Sequence, residues 1–279
     1  MQASVVLSTY NSPRWLEKVL WGYFHQTRRD FEIIIADDGS EAATADLIQR
    51  LAVESPVPLR HVWQRDDGFR KCRILNKAAL HARTDYLIFS DGDCIPRADF
   101  VATHIDRREP GCYLSGSYYK LPMSTSHAIG RDDIEQQRCF SKRWLYANGL
   151  PRWRKTLKIS AGPRLAPILN RLTPARCNLK GSNASVWLQD MLQVNGFDER
   201  MPWGGEDREF GVRLINAGVR AKHVRYDAIC IHLDHARGYV DPERVTANRQ
   251  LRLTNEKNQV QRTEFGIAQL LESGYRPDI

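Results

Sequence analysis

Residues 86–96 read YLIFSDGDCIP, an apolar run that stops at Asp91-Gly92-Asp93. Carboxylates one residue apart repel, and burying either without a partner is costly. Asp and Gly are common turn residues, so a surface turn is one account of the pair. Oxygen ligation of a divalent cation is the other. Two more apolar runs end in polar groups: ASVVL runs on to Thr9 and Asn11, and FEIIIA closes on Asp37-Asp38-Gly39-Ser40. Further on, MPWGGED places Glu206 beside Asp207. At the head of a helix the dipole favours such acids in ionised form, and acids there also serve simply as caps.

Elements must position these groups. Ala3–Leu7, Phe31–Ala36, Leu59–Trp63 and Tyr86–Ser90 are expected strands. Between them, helices are expected from Pro13, with Ser12 as cap, then over about 42–53 and about 72–82. A helix near 99–107 and a strand over Cys112–Tyr119 follow. Order returns at Leu179–Val186, with a helix over about 207–217 that stops at Gly218. Val219–Val224 and Ala228–His232 are expected strands, and about 242–271 a polar helical tail. Strands alternating with helices predict an α/β fold, a mostly parallel central sheet with helices on both faces. In such sheets ligands bind outside the carboxyl ends of the strands, which puts all three polar clusters on one rim. No G-x-G-x-x-G follows the first strand and no P-loop is present, against a dinucleotide dehydrogenase or a P-loop NTPase.

The composition of the 279 residues, 42% hydrophobic and 27% charged, is that of a globular protein with one large domain. No apolar run approaches a membrane span and MQASVVLSTYN lacks the features of a signal peptide, so a cytoplasmic location is expected. Six scattered cysteines never form C-x-x-C, which predicts free thiols rather than a zinc cage. The net charge of +8 is concentrated: residues 138–176 hold ten Lys or Arg and no Asp or Glu, so the rest is slightly acidic.

Taken together, LSTYN, IIIADDGS, FSDGDCIP, QRDDGFRKCRILNKA (64–78), GSN, GFDE and WGGEDREFG resemble an inverting glycosyltransferase of family 2 with the GT-A (Rossmann-like) fold. The likeness covers roughly residues 3–240. It is strongest to the branch with bacterial chondroitin-type polymerase modules, with a distant likeness to animal β-1,4-galactosyltransferases through WGGED. The resemblance implies a GT-A domain over 1–240: a nucleotide-binding half to about 119, a basic insert over about 120–178 and an acceptor-binding half over about 179–240. A helical tail covers 241–279.

The same resemblance implies a hexosyltransferase that moves a sugar from a nucleoside diphosphate, UDP by preference, to a hydroxyl of a saccharide acceptor. The setting it implies is bacterial cell-surface polysaccharide or lipopolysaccharide synthesis. A departing diphosphate builds up charge that a divalent cation, Mn²⁺ or Mg²⁺, neutralises. Asp93 is the first implied ligand, with Asp91 assisting and a histidine from AICIHLDHARG completing the set; His232 fits better than His235. Asp38 matches the residue that accepts from the uracil imide, with Asp37 as fallback, and Thr9 and Asn11 match residues bordering the base. Arg70, six positions before Asn76, resembles an arginine that packs on the uracil or meets the diphosphate, and Asn76 and Asp91 belong to the same implied nucleotide-binding set. Leu75 departs from the family's Arg-Asn, so the diphosphate contact falls to Arg70, Lys71 or Arg73. Asp207 matches a general base and Glu206 a holder of acceptor hydroxyls. Trp203 offers a stacking face, Gly205 room for a sugar, and Asn183 matches a site-lining position. The basic segment implies an anionic surface near the acceptor: a lipid-linked or phosphorylated glycan, or the inner leaflet of a membrane. No nucleic-acid motif is present. The rival readings are a nucleotidyltransferase and a carbohydrate- or nucleotide-binding module without turnover.

Overall fold

Val5, Leu7, Ile33, Ile35, Leu87 and Ile88 are fully buried, because the strands that carry them are covered on both faces. This is why those strands read as continuous apolar runs rather than as alternating patterns. The computed structural model describes residues 1–162, 164–236 and 241–277.

Its elements run β1 (Ala3–Thr9), α1 (Pro13–Phe24), β2 (Phe31–Asp37), α2 (Ala42–Glu54), β3 (Leu59–Trp63), α3 (Lys71–Leu80), β4 (Tyr86–Asp91), β5 (Cys94–Pro96), α4 (Phe100–Arg107), β6 (Cys112–Ser115) and β7 (Ser117–Lys120). The basic segment forms short helices α5 (Met123–Ala128), α6 (Arg131–Glu135), α7 (Lys142–Ala147), α8 (Leu157–Ser160) and α9 (Ala166–Arg171). Then come β8 (Asn183–Trp187), α10 (Leu188–Gln193), α11 (Glu206–Asn216), β9 (Arg220–His223), β10 (Ile229–His232), α12 (Pro242–Lys257) and α13 (Ile267–Glu272).

The main sheet has the order β3-β2-β1-β4-β8-β6-β9. Its β1–β4 half is parallel, and β8 enters antiparallel between β4 and β6. A smaller sheet, β5-β10-β7, stands beside it. The mixed α/β architecture is as expected. Its second sheet was not foreseen.

Two local expectations need correction. Cys112–Tyr119 is not one strand: it breaks at Gly116 into β6 and β7, which join different sheets. The break is steric, since a Cβ on Gly116 would lie 2.3 Å from Asn183 Oδ1. Ser12 occupies the cap position of α1, but its side chain makes no capping bond; its carbonyl accepts the N–H groups of Trp15 and Leu16. The expected helical tail forms α12 and α13, and α12 is tied down where Asn248 donates to Pro202 O and Asn255 to Glu209. The boundary expected at residue 240 falls within 237–240, outside the described residues.

The basic segment is amphipathic as a whole. Leu121, Ile129, Ile134, Phe140, Leu145 and Ile159 join the core that packs against α1. Trp153, Leu157, Leu165, Ile168 and Leu172 remain exposed, Trp153 by 79% and Leu172 by 70%.

Candidate active site

The parallel half of the sheet delivers its polar groups to one rim. At the end of β4, Asp91 Oδ1 accepts from Ser8 Oγ at 2.7 Å and from Lys71 Nζ at 2.7 Å. Gly92 follows because the chain passes against β1: its N–H donates to Ser8 O at 2.8 Å, and a Cβ there would lie 3.0 Å from that oxygen. Thr9 borders the same spot, with its buried Oγ1 lacking a partner among the described residues.

Asp38 directly follows β2 with both oxygens used. Oδ1 accepts from Gln64 Nε2 at 2.7 Å and Oδ2 from the Arg70 N–H at 2.9 Å. Burial pushes its carboxyl up to about 6 against these bonds. Asp37 is fully buried and held by the Ser40 N–H and His61, which makes it a structural residue of the turn. Asn11 adopts a left-handed conformation (φ 44°) and accepts from the Glu41 N–H. The Arg70 guanidinium is exposed and paired with Asp67 at 2.7 Å.

Asp93 turns toward the smaller sheet. The antiparallel register of β5 and β10 sets His232 opposite Cys94, and Leu233 N–H donates to Asp93 O at 2.9 Å. His235 Nε2 then lies 3.0 Å from Asp93 Oδ2 and His232 Nε2 3.5 Å, with the two imidazoles stacked. Burial opposes the charge on Asp93, but His235 and His232 hold its carboxyl below the usual range. One carboxylate and two imidazoles are a donor set that fits a divalent cation. Cys94 Sγ is also within reach of Asp93 and His232. Burial pushes its thiol well up, so it stays protonated and donates to Asp93 Oδ1.

Across the rim, α11 begins with Gly204 (φ 115°) and Gly205 (φ 96°), a bend that favours glycine. A Cβ on Gly205 would meet nothing within 4 Å. Glu206 Oε2 accepts from the Gly204 N–H at 2.9 Å, and Asp207 Oδ2 from the Gly181 N–H at 3.1 Å. Burial raises both carboxyls, Glu206 further through the charge on Asp207. Lys71 offsets this: its ammonium, bonded to Asp91, also attracts Glu206 and Asp207 and is held charged by all three. Trp203, directly before the bend, is half-buried.

Two expected site residues are not brought to the rim. Asn183 is fully buried: its amide donates to Ser117 O and Ala228 O and its Oδ1 meets His104 Nε2. It clamps the two sheets together and lines no open site. Asn76 is equally buried, donating to Phe197 O and Glu199 and accepting from the Phe197 N–H. Of the three residues expected at the diphosphate, Lys71 is the one that pairs with Asp91, whereas Arg70 pairs with Asp67 and Arg73 with Glu199. Ser8 and Gln64 were missed, since a serine inside a strand and a glutamine after one carry no distinctive signal.

A model of Glycosyl transferase family 2 matches residues 4–149, and a model described as the N-terminal domain of galactosyltransferase matches residues 176–236. The chain belongs to glycosyl transferase family 2. It is 26% identical over 273 residues to the glycosyltransferase YfnE of Bacillus subtilis, covering 89% of this chain and 69% of that one. It is 26% identical over 229 residues to a chondroitin synthase of Escherichia coli, covering 79% of this chain but only 33% of the larger enzyme. Among solved structures, S. aureus TarS superposes with a TM-score of 0.60 at 17% identity, over 93% of this chain and 41% of that one. A mannosyltransferase from Pyrobaculum calidifontis, in complex with GDP-Man and Mn²⁺, gives 0.58 at 17%, over 98% of this chain and 79% of that one. The fold is that of the GT-A glycosyltransferases, and the protein is a glycosyltransferase.

Lys71 generates a pH-dependent prediction. Carboxyls raised above their unfolded values favour the fold at low pH and weaken it as pH rises through the folded values. Without the ammonium, Glu206 and Asp207 rise further. Lys71→Met should therefore be nearly as stable as wild type at pH 4–5 and lose ground steadily to pH 8. The deficit there should fall between the ~0–1 kcal/mol of a surface pair and the ~3–5 kcal/mol of a buried one. Denaturant unfolding at several pH values measures it; a constant deficit would contradict the shared-ammonium arrangement.

Proposed function

We propose that the protein is a metal-dependent, inverting glycosyltransferase that moves a sugar from UDP to a hydroxyl of a saccharide acceptor. The supporting observation is the convergence of Asp91, Glu206 and Asp207 on Lys71, beside Asp93, His232 and His235. Asp93, His232 and His235 would hold Mn²⁺ or Mg²⁺, with Asp91 next to them. When bound, the cation acts as a Lewis acid on the leaving diphosphate. Thr9, Asn11, Asp38 and Arg70 border the nucleotide, and Asp38 in its carboxylate form accepts the uracil N–H once Gln64 or Arg70 yields an oxygen. Lys71 faces the diphosphate and keeps the acids ionised.

Asp207 takes the proton of the acceptor hydroxyl as that oxygen attacks the anomeric carbon from the face opposite the departing UDP. Its raised carboxyl suits a base working near neutral pH. Glu206 holds neighbouring hydroxyls, and Trp203 and Gly205 form the wall on which the acceptor sugar rests. The named likenesses to chondroitin synthases favour a place in bacterial cell-surface polysaccharide synthesis. UDP-GlcNAc-bound S. aureus TarS, similar in fold with a TM-score of 0.61, favours UDP as the nucleotide.

A second contact is supported by the exposed apolar residues Trp153, Leu157, Leu165, Ile168 and Leu172, interleaved along the chain with the exposed cations Arg152, Lys155, Arg164 and Arg171. It suits the anionic face of a membrane, each cation adding about 1 kcal/mol. Among the described residues no helix is long and apolar enough to cross a membrane. The location this favours is cytoplasmic and peripheral.

Release of UDP from a panel of UDP-sugars with Mn²⁺ tests the main reading. Asp207→Asn should lower kcat by about 10² or more while leaving UDP affinity nearly unchanged. Loss of UDP binding in that variant would move Asp207 to the donor site, and UDP binding without turnover of any sugar would leave a binding module. For the membrane contact, co-sedimentation with phosphatidylglycerol vesicles should weaken with salt and drop sharply when Arg152, Lys155, Arg164 and Arg171 are changed together to Ser. Equal binding to neutral phosphatidylcholine vesicles would contradict it.

A further inference from the structure

Three cations from separate segments converge on the bend between β6 and β7, where Lys158 bonds Ser117, the Val224 N–H before Arg225 bonds Ser115 O, and Asn183 joins Ser117 O to Lys180 O. Lys158 comes from α8, Lys180 immediately precedes the Gly181 whose N–H holds Asp207, and Arg225 lies between β9 and β10. Each is part-buried. Lys158 Nζ donates to Ser117 Oγ at 2.8 Å at the start of β7. Arg225 Nε is buried and has no hydrogen-bond partner among the described residues. Among the described residues no carboxylate forms an ion pair with any of the three, although other cations of these segments are paired, Arg176 with Glu256 and Lys222 with Glu109.

The three are close enough to disturb one another. Burial, then repulsion from Arg225 and Lys180, lowers Lys158 to about 8. Burial and repulsion from Arg225 and Arg208 lower Lys180, and Asp207 is the acid that pulls the other way. A part-buried cluster of like charges is unfavourable in the absence of an anion. A buried guanidinium N–H without an acceptor adds a further desolvation cost. Both costs are relieved by one ligand that brings negative charge and several acceptor oxygens.

We infer that Lys158, Lys180 and Arg225 form a subsite for an anionic group, a carboxylate or a phosphate, carried by the saccharide acceptor. The inference rests on the reading of Asp207 as the base, because Lys180 is next in the chain to the Gly181 that holds that residue. The cluster lies on the β7, β8 and β10 side, away from Asp38 just after β2, where the nucleotide is placed. Lys180 connects the two functions: it contributes charge to the subsite, while the next residue holds the base. The basic segment thus reaches the site through Lys158, and its outward cations belong to a different surface.

Saturation-transfer NMR on the full chain with UDP and Mn²⁺ tests this, using glucuronate, glucose 6-phosphate, glucose and orthophosphate as probes. The charged sugars should bind at least tenfold tighter than glucose and tighter than orthophosphate. The Lys180→Gln/Arg225→Gln variant should lose that preference with UDP affinity unchanged within twofold. Lys158→Gln, which keeps a donor for Ser117, should lower it alone even if the double variant folds poorly. Equal binding of charged and neutral sugars would overturn the inference, as would orthophosphate binding as tightly as glucose 6-phosphate. A tenfold loss of UDP affinity in the variants would assign the cations to the donor diphosphate and overturn it too. UDP binding is read in the same samples, so loss of sugar preference with UDP still bound counts against this subsite alone.

Discussion

One ammonium holds the site together. Asp91 ends a strand, Glu206 and Asp207 begin a helix more than a hundred residues later, and Lys71 stands between them. Without that charge Asp91 would lose its ion pair, and burial and the charge on Asp207 would raise Glu206 further. On the proposed reading, donor binding and proton removal both use the ionised state of these carboxylates. The parallel sheet creates the problem by bringing strand ends to one edge, and α3 solves it by starting at Lys71 on the same edge.

The second constraint is the joint between the two sheets. Asn183 bonds across to β7 and to the segment before β10 and meets His104 on α4. Gly116 makes room for it. That joint fixes β10 against β5, which is what places His232 and His235 against Asp93. A polar residue sealed in the core therefore acts on the site at a distance.

What was legible in the sequence follows from locality. Asp91, Asp93, Asp38 and the Glu206-Asp207 pair each sit where an apolar run or helix pattern changes, so the residues themselves mark the place. Asn183 and Asn76 were misplaced because a buried amide and a ligand-facing amide look alike in a motif; only long-range bonds distinguish them. The split of Cys112–Tyr119 was hidden for the same reason, since the steric demand on Gly116 comes from a residue 67 positions later. His235 was ranked below His232 on strand spacing, yet the turn after β10 brings its Nε2 closer to Asp93. The charge cluster of Lys158, Lys180 and Arg225 could be seen only as surplus charge until the fold brought its members together.

The central claim is that a single base, Asp207, acts on the face opposite the leaving group. The anomeric configuration of the product tests it most directly. With an α-linked UDP-sugar donor that supports turnover, ¹H NMR of the first product formed should show a β-linkage. An α-linked first product would mean retention and would contradict the account.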